Sequence, residues 1–337
     1  MKPIRIVSII TAIAVAALSL ISARAQQGSK PTPQTTQSSG NQDAGQKEVV
    51  NIKNVLLPVT VTDRKNQFVT GLSQQDFLVF EDKQPQTIVS FTTEEKADPP
   101  LYVGVLMDTS PSVAGKLKFE QESAINFIQT VIRPRRDRVA FVTFDHQITL
   151  RQDFTNKLDL LDKAVHAIKK PGERTLFYDA IWQFCDEKLR SAPGRRVLVV
   201  ITDGDDSNYS KATLKDAIDI AQRTETTVFA LSTKSGFSGS VPGVSAGTVK
   251  DNIDKDLEKL CDETGGAAFF TGDELALERA FTRIAHELHT QYILTYKPTN
   301  ENYDGQERKI EVRLVGEGKG LKLRTKKGYR ATNDTVR

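Results

Sequence analysis

Two kinds of hydrophobic pattern divide this chain. Between residues 99 and 290, short uncharged apolar runs alternate with longer stretches whose apolar residues recur every three or four positions. The runs at 102–107, 139–144, 197–202, 227–232 and 267–271 predict strands buried on both faces of a parallel sheet, and 148–151 predicts a short edge strand. Helices are expected to begin near Val113, Asn156, Leu176, Ala212, Lys255 and Glu274. Leu214, Ile218 and Ala221, like Leu277, Phe281, Ile284 and Leu288, keep the spacing of a single helical face. Strand–helix alternation of this kind predicts an α/β fold with a doubly wound, mostly parallel sheet.

On either side the period changes to two. Leu57-Pro58-Val59-Thr60-Val61-Thr62 alternates apolar with polar, and 77–80 and 87–91 read as further strands, with Glu81-Asp82-Lys83 as the turn between them. After the α/β region, 292–296, 309–314 and 321–325 repeat the pattern. Neither β segment is long enough for a core of its own. Residues 48–96 and 291–330 are therefore expected to fold together as one β-sandwich, with the α/β domain of residues 98–290 inserted between them.

The N-terminus carries neither pattern. Lys2 and Arg5 precede an apolar run at 6–21, and Ala23-Arg24-Ala25 supplies an A-x-A cleavage site. Residues 1–25 thus read as a secretory signal peptide, because a run of 16 residues falls short of the ~20 that a spanning helix needs. No transmembrane helix is expected after cleavage, so the protein is expected to be exported to the periplasm, the cell surface or the medium. Residues 26–47, rich in Gln, Ser, Thr, Gly and Pro, read as a disordered linker.

Charge follows from this. The 46 Lys and Arg exceed the 43 Asp and Glu by Lys2, Arg5 and Arg24 alone, so the mature chain is formally neutral. A nucleic-acid partner is not indicated. Cys185 and Cys261 fall within helical apolar patterns, Trp182-Cys185-Leu189 and Leu257-Leu260-Cys261. Secretion permits a disulfide, but two buried thiols are the favoured reading.

The candidate chemistry lies where the apolar runs end. Asp108-Thr109-Ser110-Pro111-Ser112 directly follows the strand at 101–107, and Thr202-Asp203-Gly204 closes another strand. Between them, Gly172 to Ala180 contains Thr175-Leu176-Phe177-Tyr178-Asp179-Ala180. Carboxylates and hydroxyls at the carboxyl edge of an open sheet make an oxygen-rich cluster suited to a hard divalent cation. Each residue also has a plainer reading. Asp108 and Ser112 can cap the next helix, Thr175 can cap the one after Leu176, and Asp203-Gly204 can be an ordinary turn.

The D-x-S-x-S of Asp108, Ser110 and Ser112, the T-x-x-Y-D-A at Thr175 and the T-D-G at Asp203 together resemble the metal-ion-dependent adhesion site of von Willebrand factor type A (VWA) domains, a Rossmann-like fold. The wider frame, V-T-V-x-D, D-F-x-V-x-E-D, Q-Y-x-L-x-Y and K-G-Y, is similar to a VWA-related family of Acidobacteria. The resemblance implies that Ser110, Ser112 and Thr175 bind a metal through hydroxyls, and Asp108 and Asp203 directly or through water. Mg²⁺ or Mn²⁺ is favoured over a Ca²⁺ cage. A protein partner would supply an Asp or Glu carboxylate to the open position.

Other acids near the site, Asp145, Asp205 and Asp206, read as solvated loop residues, with tuning of the local field or binding of a second cation as the alternative. Asp179 is expected one turn into its helix, where acids suit the N-terminus. The Gly- and Ser-rich loop at 233–251 reads as partner contact or disorder. Enzyme signatures are missing: there is no G-x-x-x-x-G-K-[ST], and His286-Glu287-Leu288-His289 lacks one residue of H-E-x-x-H. The expectation is a non-enzymatic binding protein. Its rivals are an envelope scaffold that uses the VWA fold without metal and, more weakly, a metal-dependent hydrolase.

Overall fold

The computed structural model describes residues 54–93, 99–170, 172–202, 210–233, 252–271 and 274–332. Residues 1–53, which include the stretches expected to be a signal peptide and a linker, lie outside the described residues, as do Asp203, Asp205, Asp206 and nearly all of the 233–251 loop.

The N-terminal segment supplies β1 (Val55–Thr62), β2 (Phe77–Glu81), β3 (Gln84–Gln86) and β4 (Ile88–Thr92). The α/β region follows with β5 (Leu101–Asp108), α1 (Leu117–Val131), β6 (Arg138–Phe144), β7 (Ile148–Thr155), α2 (Leu158–His166) and α3 (Phe177–Phe184). It continues with β8 (Arg195–Thr202), α4 (Leu214–Arg223), β9 (Thr226–Ser232), α5 (Asn252–Thr264), β10 (Ala268–Phe270) and α6 (Glu274–Thr290). The C-terminal segment adds β11 (Tyr292–Tyr296), β12 (Glu307–Leu314), β13 (Lys322–Arg324) and β14 (Gly328–Arg330).

The central sheet has six strands in the order β10-β9-β8-β5-β6-β7. All its pairs are parallel except the edge pair β6–β7. Side chains of β5 alternate between two cores, as a pleated strand requires. Val103, Val105 and Met107 pack with residues of α1, α2 and α6, while Leu106 packs with residues of α3, α4 and α5. Helices on both faces are what the uncharged strand runs demanded. Gly104 is needed in β5 because a Cβ there would lie 2.1 Å from the Phe184 ring.

The flanking segments form two antiparallel four-stranded sheets, β13-β1-β11-β4 and β14-β12-β2-β3. Each sheet draws strands from both ends of the chain. β1 lies between β11 and β13, and β2 pairs with β12. The alternation in β1 puts Val55, Leu57, Val59 and Val61 into a core shared with Phe77, Val79, Tyr292, Leu294, Tyr296 and Ile310.

Where the α/β region joins the sandwich, a polar network spans the junction. Thr60 Oγ1 donates to Glu287 Oε1 at 2.8 Å, and Gln291 Nε2 donates to Thr60 Oγ1 at 3.1 Å. Arg324 pairs with the same Glu287 oxygen, and Arg195 donates to the Leu288 carbonyl at 3.1 Å and to Gln291. Each of these buried charge and amide groups has at least one such partner, Glu287 through its Oε1, which offsets part of the cost of burial.

Several expectations need correction. β7 runs for eight residues rather than four. β3 and β14, of three residues each, carried no pattern long enough to read. The first helix starts at Leu117 rather than near Val113, because Pro111–Val113 forms a separate 3₁₀ turn. Trp182 does not share the buried face of Cys185 and Leu189. The inward stripe of α3 is Phe177, Ala180, Ile181 and Phe184, and Trp182, one step of ~100° beyond Ile181, is 43% exposed.

Candidate functional site

Asp108 is the last residue of β5, and its side chain is fully buried. Both carboxylate oxygens are engaged. Oδ1 accepts the Ser110 amide at 2.8 Å, and Oδ2 accepts the Thr202 hydroxyl at 2.8 Å. The first bond is an Asx turn that bends the chain off the strand. The second crosses to the end of β8, the neighbouring strand. The alternation along β5 therefore delivers the carboxylate, and the parallel pairing delivers its anchor.

The turn brings Ser110 and Ser112 together, with their hydroxyl oxygens 2.9 Å apart. Ser110 is buried and Ser112 exposed, so the pair leads from Asp108 outward to the surface. Neither Asp108 nor Ser112 caps α1, whose N-cap is Lys116, and Thr175 does not cap α3, whose N-cap is Leu176. The plain capping explanations for these three residues are thereby removed.

Thr175 is buried, and the next residue ties its loop to the same edge of the sheet. The Leu176 amide donates to the Asp145 carbonyl at 3.1 Å, just past the end of β6. The Gly172 amide donates to the Thr109 carbonyl at 2.6 Å. Gly172 has no tolerance for a side chain, since a Cβ would lie 2.3 Å from the Asp145 carboxylate. Asp145 is accordingly not a solvated loop acid. It accepts from the Thr109 hydroxyl at 2.9 Å and from the Gln147 amide at 2.9 Å, with His146 Nδ1 at 2.8 Å. Asp179 lies in the first turn of α3 and receives the amides of Ala212 at 2.7 Å and Lys211 at 3.0 Å.

The described part of the site thus gathers Asp108, Ser110 and Ser112 on one turn and fastens the Thr175 loop beside it; Asp203, which directly follows Thr202, lies outside the described residues. Sequence reasoning missed the roles of Thr202, Thr109 and Gly172. Thr202 stood at the end of an apolar run, but its bond to Asp108 depends on which strands are neighbours. On the far side of β8, the Thr233 amide donates to the Thr202 carbonyl at 2.9 Å, and Lys116 Nζ donates to the Thr233 carbonyl.

The donor set is one carboxylate with several neutral hydroxyls. Among the described residues, no group of three or more His, Cys, Asp or Glu side chains is arranged to hold a metal. A cation here would depend on hydroxyl oxygen, which suits hard divalent ions. The alternative histidine pair is committed elsewhere. His289 Nε2 lies 3.1 Å from the Val131 carbonyl, and His286 packs edge-on against Phe68. Cys185 and Cys261 are both free and buried, and burial pushes each thiol up to about 12.

An open, mostly parallel sheet with helices on both faces and an oxygen-rich turn at its carboxyl edge defines a class of α/β binding domain. The von Willebrand factor type A domain model matches residues 103–283, more than half of the sequence, and the chain belongs to that family. No curated protein matches it in sequence. Among solved structures it is similar to the BatB protein of Bacteroides thetaiotaomicron, at 16% identity and a TM-score of 0.41 over 56% of this chain and 97% of that one. The vWF domain of the type V pili tip protein Mfa5 from Porphyromonas gingivalis is similar at 14% identity and a TM-score of 0.43, over 57% and 96%. Proximal thread matrix protein 1 from the mussel byssus is similar at 14% identity and a TM-score of 0.47, over 62% and 51%. No helix among the described residues is long and apolar enough to cross a membrane.

Proposed function

We propose that this chain is an exported, non-enzymatic binding protein that engages a macromolecular partner through a divalent cation at the carboxyl edge of its central sheet. Ser110, Ser112 and Thr175 would hold the ion through hydroxyls, and Asp108 and Asp203 directly or through water. The observation that carries the reading is the pairing of the Ser110 and Ser112 hydroxyls at 2.9 Å above a buried Asp108 whose carboxylate is already fixed on both oxygens. An acid held this way cannot swing out, so it contributes charge in a set orientation. With mostly neutral ligands, Mg²⁺ or Mn²⁺ would keep enough charge to accept a partner's Asp or Glu carboxylate.

The test is a calorimetric titration of Mn²⁺ and Mg²⁺ into residues 26–337, beside Asp108→Ala, Asp203→Ala and Ser112→Ala. Ser112 is exposed, so its variant keeps the fold while removing a ligand. The expected result is one saturable site, lost in the aspartate variants and weakened in Ser112→Ala. Absence of binding up to millimolar metal would replace this reading with that of an envelope scaffold whose VWA surface works without metal.

A further inference from the structure

We propose that the groove beside Trp182 is a docking site for a lysine- or arginine-bearing segment of a protein partner, working independently of any metal. Trp182 is the single tryptophan of the chain, and it is 43% exposed on the outer side of α3. It lines an open groove of about 620 Å³ between α3, the start of β7 and the start of α4. An aromatic face of this size left toward water is a feature of interaction surfaces.

The charge around the ring selects the occupant. Asp179, Glu187 and Asp216 line the groove, against Lys211 as its one basic lining residue. The basic residues next to Glu187 are already paired: Lys188 with Asp153 at 2.7 Å, and Arg190 with Asp186. They do not neutralise the groove. Asp179 is held by the Lys211 and Ala212 amides, and Asp216 accepts the Thr213 amide at 2.9 Å and hydroxyl at 2.7 Å. These two carboxylates are thus set in place before any ligand arrives, so little ordering entropy is lost on binding. Glu187 is exposed and is free to reach a ligand's ammonium or guanidinium. A cation seated over the indole, among carboxylates, gains both a cation–π contact and an ion pair. A neutral glycan could stack on the ring but would draw nothing from the surplus of negative charge.

Because the chain has one tryptophan, its emission reports directly on the groove. Hexalysine is titrated into residues 26–337 in the presence of EDTA, with emission followed at low and high salt. The expected result is a saturable change, weakened about tenfold or more between ~50 and ~500 mM NaCl. In Glu187→Lys, affinity should fall by about tenfold. In Trp182→Ala, read by calorimetry, it should fall about threefold to thirtyfold. Both positions are on the surface, so folding should be intact and is checked by circular dichroism. The proposal is overturned if hexalysine gives no saturable change. It is equally overturned if Glu187→Lys binds as the parent does, if a neutral Gly-Ser peptide or a chito-oligosaccharide binds as well as hexalysine, or if EDTA abolishes the signal. Loss of the metal site in the calorimetric titration would leave this binding unchanged, so the two readings fail separately.

Discussion

Glu81 gives the sharpest test of how the chain's two ends are joined. It is the last residue of β2, 2% exposed, and its Oε2 accepts the hydroxyls of Tyr296 at 2.6 Å and Tyr329 at 3.0 Å. The acid comes from the N-terminal segment and both phenols from the C-terminal one, so the cluster closes the sandwich across the inserted domain. Tyr296→Phe removes one donor without opening a cavity. A hydrogen bond to a charged group contributes about 1.5–3 kcal/mol, and the short bond of a fully buried phenol places this one in the upper half of that range. Tyr329→Phe should cost less, about 1.5 kcal/mol at the bottom of that range, because its bond is longer and its side chain half-buried. The double variant should lose more than the sum, since Glu81 is then left buried with neither phenol. Urea denaturation followed by circular dichroism reads these differences. The pH dependence adds a check of sign. Burial first, and the Glu81 carboxylate second, push both phenols above their ordinary value near 10. A group raised in the folded state contributes its stability in full below that ordinary value and loses it as pH climbs above it. The parent should therefore lose stability above about pH 10, and Tyr296→Phe should lose less over the same window. A cost below about 0.5 kcal/mol for Tyr296→Phe, or an identical alkaline slope in the two proteins, would refute the argument.

Three further outcomes follow from the geometry. Thr202→Val should destabilise the protein by about 1.5–3 kcal/mol in urea, because it strips a donor from the buried Asp108 carboxylate; under the proposed function it should also weaken the Mn²⁺ site in the calorimetric titration. Gly266→Ala should cost more than about 3 kcal/mol or prevent folding, since the new Cβ would lie 1.9 Å from the Val228 carbonyl oxygen; a thermal midpoint within ~2 °C of the parent would contradict this. Ellman's reagent should find no reactive thiol in the native chain at pH 8 and two after unfolding, because Cys185 and Cys261 are both free and buried with thiols raised to about 12.

Much of this architecture could be read before any coordinates. Uncharged runs such as 101–107 have nowhere to go but the middle of a sheet covered on both faces, and parallel strands with helical crossovers meet that need. The period-two alternation of β1 required a second layer, and the shortness of both β segments required that they share it. Asp108, Ser110 and Ser112 were legible because their spacing is local and a single turn brings them together. The rest depended on distance along the chain. That Asp108 is held by Thr202, 94 residues away, follows from β5 lying beside β8, which no local pattern states. The same holds for Asp145, which looked like a loop acid until the Gly172 loop closed over it, and for Glu81, whose partners lie 215 and 248 residues further on. Trp182 shows the limit from the other side. A helical period tells which residues share a face, but where the edge of the buried face falls is decided by what packs against it. Local chemistry and hydrophobic period were thus properties of the sequence, while the partners of each buried polar group were decided by tertiary pairing, because a buried acid is satisfied by whatever donor the fold brings to it.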